Sequence, residues 1–180
     1  MKTERIVAIA LMSMTPGFVG TASAQVASGM HAAPLCVARQ LSLSVDSKDG
    51  QFGGMQKSGT ELSIRNNGAD CVLPALPRIE FLDARGHTLP VSRAVPIGMH
   101  PGPVMIPVHL GGGHRAATDL NWISGPVYAQ NRKLRASYVR VHFGTAALRA
   151  RLTAVIDTQP GTPGTFNQPP LRAMEGMAAG

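Results

Sequence analysis

The stretch Glu61-Leu-Ser-Ile-Arg-Asn-Asn-Gly-Ala-Asp-Cys-Val-Leu-Pro-Ala-Leu-Pro-Arg-Ile-Glu-Phe-Leu82 decides the fold class. Leu62 and Ile64 alternate with polar neighbours, the period-two mark of a half-buried strand. Asn66-Asn67-Gly68 reads as a tight turn, because Asn and Gly accept positive φ. Pro74 and Pro77 bracket a corner, since proline cannot pair in a central strand. Residues 79–82 form the next strand, and Asp83-Ala-Arg-Gly86 turns it. Strand, turn, corner and strand in so short a span is the rhythm of an all-β domain.

The same rhythm extends both ways. Upstream, Leu41, Leu43 and Val45 alternate with Gln40, Ser42 and Ser44, a second half-buried strand. Residues 46–59 are a turn and a Gly-rich loop. Asp46 and Asp49 there are too few oxygen ligands for a calcium loop. Downstream, residues 93–107 carry four prolines and read as irregular, with a bent edge strand at 104–110. Residues 115–123 alternate and place Trp122, the sole tryptophan, in the core. Val139, Val141 and Phe143 face one way, as do Leu148, Ala150, Leu152 and Ala154. No helix of useful length and no internal repeat is present. The expectation is a two-sheet immunoglobulin-like sandwich of about seven to nine short strands with one disulfide.

The N-terminus reads as an address. Lys2 and Arg5 precede an apolar run at residues 6–12, Pro16 and Gly17 end it, and Ala22-Ser23-Ala24 offers small residues for cleavage. That is a secretory signal peptide over residues 1–24. The run is shorter than the roughly 18 residues a membrane span needs, so the chain is not membrane-spanning. Cys36 lies well past the cut and follows Leu35, which excludes a lipid anchor there. The product is then periplasmic or secreted. Residues 25–34 read as a flexible lead and 35–157 as the sandwich. Residues 158–180 read as a Pro/Gly-rich tail, partly draped on the domain and disordered at its end.

Cys36 and Cys71 are the only cysteines. In an exported chain an even pair is most economically a disulfide, with metal ligation or two free thiols as the alternatives. A bridge would close a loop of about 36 residues, for which chain entropy gives on the order of 3.5–4 kcal/mol.

Charge is the most informative functional feature. The chain has 17 Lys and Arg against 10 Asp and Glu. Removing Lys2, Arg5 and Glu4 with the signal leaves 15 and 9, a net of +6. Between Asp119 and Asp157 there is no acid, yet Arg132, Lys133, Arg135, Arg140, Arg149 and Arg151 fall there. Pairing the last two strands so that Phe143 faces Leu148 and Val141 faces Ala150 satisfies the core. It also sets His142 opposite Arg149 and Arg140 opposite Arg151 on the outer face. Like charges directly opposed in a sheet are unfavourable, so an anion there would relieve them. Arg140, His142, Arg149 and Arg151 are therefore the candidate anion-binding residues. The fitting partner is an anionic cell-envelope polymer or an acidic protein. A solvated basic face is the plain alternative. Nucleic acid is disfavoured by the compartment and by the lack of aromatics among the basic residues.

Catalytic patterns are absent. There is no Gly-x-Ser-x-Gly elbow and no Ser-x-x-Lys, and Gly111 to Gly113 lacks the lysine and helix of a phosphate loop. The expectation is a non-enzymatic module without a cofactor. The alternative is periplasmic copper binding by Met99, His100, His109 and His114, since thioether and imidazole suit Cu(I). Their spacing matches no metal template.

In order along the chain come Cys36, Asn66 or Asn67 with Gly68, Cys71-Val-Leu73, Pro77, Asp83-Ala-Arg-Gly86, and an apolar run into a Gly turn and a Trp strand at 108–122. This series resembles the DUF4232 family of exported bacterial domains of unknown function, over about residues 34–157. The chain departs from it in lacking a second cysteine pair and in having Ala75 where glycine is common. The resemblance implies an exported immunoglobulin-like β-sandwich and no activity, so it carries no functional residue.

Overall fold

The computed structural model describes residues 33–48, 51–95 and 105–174, which fall within one compact unit, Ala32–Gly180. The signal peptide, most of the lead, Met99, His100 and residues 175–180 lie outside the described residues.

One turn of 3-10 helix, Ala38–Gln40, precedes the strands. These are β1 (Leu41–Asp46), β2 (Lys57–Asn66), β3 (Cys71–Leu73), β4 (Ile79–Leu82), β5 (Val91–Arg93) and β6 (Val108–Leu110). They continue with β7 (Arg115–Ile123), β8 (Arg132–Phe143), β9 (Ala146–Thr158), β10 (Gly164–Asn167) and β11 (Arg172–Met174). One sheet runs β1-β2-β7-β10-β5, with β11 also on β7; the second runs β4-β8-β9. β3 and β6 form a separate small ribbon. The all-β sandwich is as the alternation implies. Eleven strands among the described residues exceed the expected seven to nine. The extra ones are three or four residues long, too short to show a period.

Alternation becomes core directly. Leu62, Ile64, Leu120, Val139, Val141 and Ile156 are fully buried. Phe81 of the smaller sheet meets Trp122 and Phe166 of the larger edge to face, at centroid distances of 5.8 and 5.1 Å. Such pairs contribute roughly 0.5–1.5 kcal/mol each beyond area burial. They fix how the two layers face one another.

Cys36 and Cys71 are bonded, 35 residues apart. Around the bridge, Cys36 N–H donates to Val72 O at 3.0 Å and Val72 N–H to Pro34 O at 2.9 Å. The segment before β1 is thus stapled to β3.

Three local expectations are corrected. First, the 66–68 turn is not made by positive φ, which none of its residues adopts. Asn66 is fully buried, and its side chain builds the turn. Its Nδ2 donates to Ala69 O at 2.7 Å and Leu110 O at 3.0 Å, while Oδ1 accepts from Gly68 N–H at 2.9 Å. Gly68 is small for a packing reason, since a Cβ there would lie 2.9 Å from Gln40 Cβ. Second, the domain does not end at 157. Phe166 and Leu171 are buried, and β10 and β11 both pair with β7. Third, the β8–β9 register is two residues away from the expected one. Arg140 faces Arg149, Val141 faces Leu148 and Phe143 faces Ala146. The loop is only Gly144-Thr145, with Gly144 at φ +60°, the first-position glycine of a type II′ hairpin turn. A two-residue shift keeps every side chain on its face, so burial alone does not distinguish the registers.

Candidate functional site

The solvent face of β4, β8 and β9 carries the charges picked out from the sequence. On β8 the inward residues are Leu134, Ala136, Val139, Val141 and Phe143. A bulge between Ala136 and Tyr138 keeps that order across an irregular step. Lys133, Arg135, Tyr138, Arg140 and His142 consequently point outward. On β9, Arg149 and Arg151 do the same, between inward Leu152 and half-buried Leu148 and Ala150.

The face is not uniformly basic, because β4 brings an acid to it. Glu80 lies opposite Arg140 in the β4–β8 register. Its carboxylate accepts from Arg140 Nη1 at 3.3 Å and from the Arg78 guanidinium. His142 Nε2 sits 3.0 Å from Glu80 Oε2, close but poorly aligned, and has no other partner. The His142 ring N–H, with the Arg78 guanidinium behind it, holds the Glu80 carboxyl below its ordinary value against the opposing push of burial. Arg140 therefore has an internal counter-ion in Glu80, with the His142 ring beside it, and its cross-strand neighbour on β9 is Arg149 rather than the expected Arg151.

What remains uncompensated lies along β8 and β9. Among the described residues, Lys133, Arg135, Arg149 and Arg151 form no ion pair. Asp157 faces Lys133 in the register without bonding to it. Arg149 lies over the Tyr138 ring, 4.5 Å from its centroid, a cation–π contact. Arg149 and Arg151 of the expected anion set thus remain available, while Arg140 and His142 do not. Glu80, Arg78 and Tyr138 were not foreseen. The one sequence signal for Glu80 was its place between inward Ile79 and Phe81, which puts a lone acid on an outer face.

Of the alternative metal set, Met99 and His100 lie outside the described residues, and His109 and His114 are exposed. Among the described residues no three His, Cys, Asp or Glu side chains come together as metal ligands.

A cleft of about 570 Å³ opens beside this face. It lies between the end of β1 and the free edge of β9, with Val45, Phe52, Ser58, Trp122 and Ser124 opposite residues 151–155. Ser58 and Ser124 share a 2.6 Å hydroxyl contact, and the buried Trp122 Nε1 has no acceptor.

A disulfide-stapled β-sandwich with a mixed-charge outer face is the class this structure defines. The chain belongs to the family described as Domain of unknown function (DUF4232), whose profile matches residues 36–171. That span includes β10 and ends at Leu171, in line with the revised domain boundary. No curated protein and no solved structure matches the chain. Among the described residues, no helix is long and apolar enough to cross a membrane.

Proposed function

We propose that the protein is an exported, non-enzymatic binding module of the periplasm or cell exterior, and that its β8–β9 face holds an anionic cell-envelope polymer. The observation that carries this reading is the group Lys133, Arg135, Arg149 and Arg151, four outward cations without an ion pair among the described residues. Export is supported by the signal-like residues 1–24 and by the bonded cysteine pair, which suits an oxidising compartment. A repeating anion matches a row of cations spread along two strands better than a compact ligand does, because each charge is met at its own position.

The test is retention of the mature protein on immobilised polyglucuronate. Wild type is retained in low salt and released as ionic strength rises, since exposed charges are screened within about 8 Å at physiological salt. Arg149→Glu with Arg151→Glu abolishes retention; loss of the Arg149–Tyr138 contact lowers stability by no more than about 1 kcal/mol, so the variant stays folded. Retention equal to wild type in the double variant overturns the reading. Capture by an acidic protein but not by the polymer moves the partner to a different class.

A further inference from the structure

The cleft beside β9 has an unusual wall. Arg151, Leu152, Thr153, Ala154 and Val155 all line it. Side chains alternate between the two faces of a strand, so one face cannot present five successive residues. It is the edge of β9 that fronts the cleft. β9 pairs with β8 on one side only, and no backbone hydrogen bond joins it to any other strand among the described residues. An unpaired edge is a ready template for another strand.

The geometry points to an occupant: we propose that this cleft receives an extended peptide of a partner protein, which adds as a strand to β9 along residues 151–155. Five residues of strand span about 17 Å. The side-chain pattern of the peptide follows from its neighbours. Positions beside Arg149, Arg151 and Thr153 lie on the solvent face, where Arg149 and Arg151 have no counter-charge. Positions beside Leu152 and Ala154 lie on the inner face, towards Val45, Phe52 and Trp122. No acid lines the cleft and one arginine does, so an acidic peptide meets no like charge. The ligand class is thus a strand alternating acidic with β-branched apolar side chains. The ladder supplies affinity and the alternate side chains supply selectivity. The site shares Arg149 and Arg151 with the polymer face but stands on the backbone edge, so it does not rest on polymer binding.

The probe is a blocked heptapeptide alternating glutamate and valine, titrated into the mature protein. Trp122 is the only tryptophan and lines the cleft, so its fluorescence follows occupancy there. The expected result is a saturable fluorescence change with slowed amide exchange at residues 151–155. The same peptide N-methylated at alternate backbone nitrogens keeps its charges but cannot complete a ladder, and binds on the order of tenfold weaker or worse. Arg149→Gln with Arg151→Gln weakens binding of the unmodified peptide about fivefold, from two lost cross-strand charge pairs. Absence of a saturable change at millimolar peptide overturns the inference. So does protection confined to residues other than 151–155. Equal binding of the N-methylated peptide also overturns it, while leaving the polymer reading intact. Loss of polymer retention with undiminished strand addition does the reverse.

Discussion

Glu80→Gln separates the two roles of the outer face. The side chain is 13% exposed and lies against the Arg78 and Arg140 guanidinium groups and the His142 ring. Arg78 is 72% exposed and contributes little once solvent screening is counted. Arg140 is 34% exposed, so its pair with Glu80 sits toward the upper part of the range of about 0.2–1 kcal/mol for ion pairs, and the His142 ring adds a polar contact beside it. Glutamine keeps one acceptor oxygen but no charge. The expected loss is about 1–2 kcal/mol at pH 7, a fall in melting temperature of roughly 3–6 °C for a domain of this size. The Glu80 carboxyl is held below its ordinary value of 4.5, so its contribution is complete above that pH. It is lost as the pH falls through the lower folded-state value, and the two proteins converge in acid. Freeing Arg140 also adds one uncompensated cation to the face. Retention on polyglucuronate should therefore rise while stability falls. Thermal melts between pH 3 and pH 8, paired with salt-gradient elution, read both quantities. A variant as stable as wild type at pH 7, or one retained less strongly, refutes the account of Glu80 as the internal counter-ion.

Replacing Cys36 and Cys71 together by alanine should cost on the order of 3.5–4 kcal/mol in guanidinium unfolding, from the loop they close. Asn66→Ala removes the side-chain donor to the buried Leu110 carbonyl and the acceptor for Gly68 N–H, while Ala69 O keeps its bond from Gln40 Nε2, and should cost about 1–3 kcal/mol by the same measurement. Phe81→Ala removes the ring that meets Trp122 and Phe166 and should cost about 3–5 kcal/mol, with a shift in Trp122 emission. N-terminal sequencing of the protein purified from an expressing bacterium should begin at Gln25; a start at Met1 would contradict the signal reading.

The sequence was legible where one strand could be read alone. Leu62 and Ile64, or Val139, Val141 and Phe143, declare their buried face by alternation, and all are in the core. It was not legible where two strands had to be set against each other. The β8–β9 pairing shifts by two residues without moving any side chain off its face, and Gly144-Thr145 decides it through turn geometry. Glu80 lies 60 residues from Arg140, so the acid-free span in the sequence acquires one acid in space, at Arg140 alone among its cations. The strands within the tail were hidden for a different reason. Its prolines and glycines carry the composition of an irregular segment, but Phe166 and Leu171 each find a place against β7 or the core. Two apolar side chains in a Pro/Gly-rich run were the only signal, too sparse for any periodicity.

β7 stands at the centre of the larger sheet, and its partners come from opposite ends of the chain. β2 flanks it from residue 57 onward, whereas β10 and β11 reach it from residues 164–174. Arg172 then ties Glu61 to Asp119, joining three distant segments at one point. Such a topology is dominated by non-local closure, which makes folding slow. During synthesis the larger sheet stays incomplete until almost the last strand has emerged, and the half-made chain has no finished structure to unravel. A polypeptide that must be threaded through a narrow pore before it folds gains time from this order of assembly, with Arg172 as the late latch.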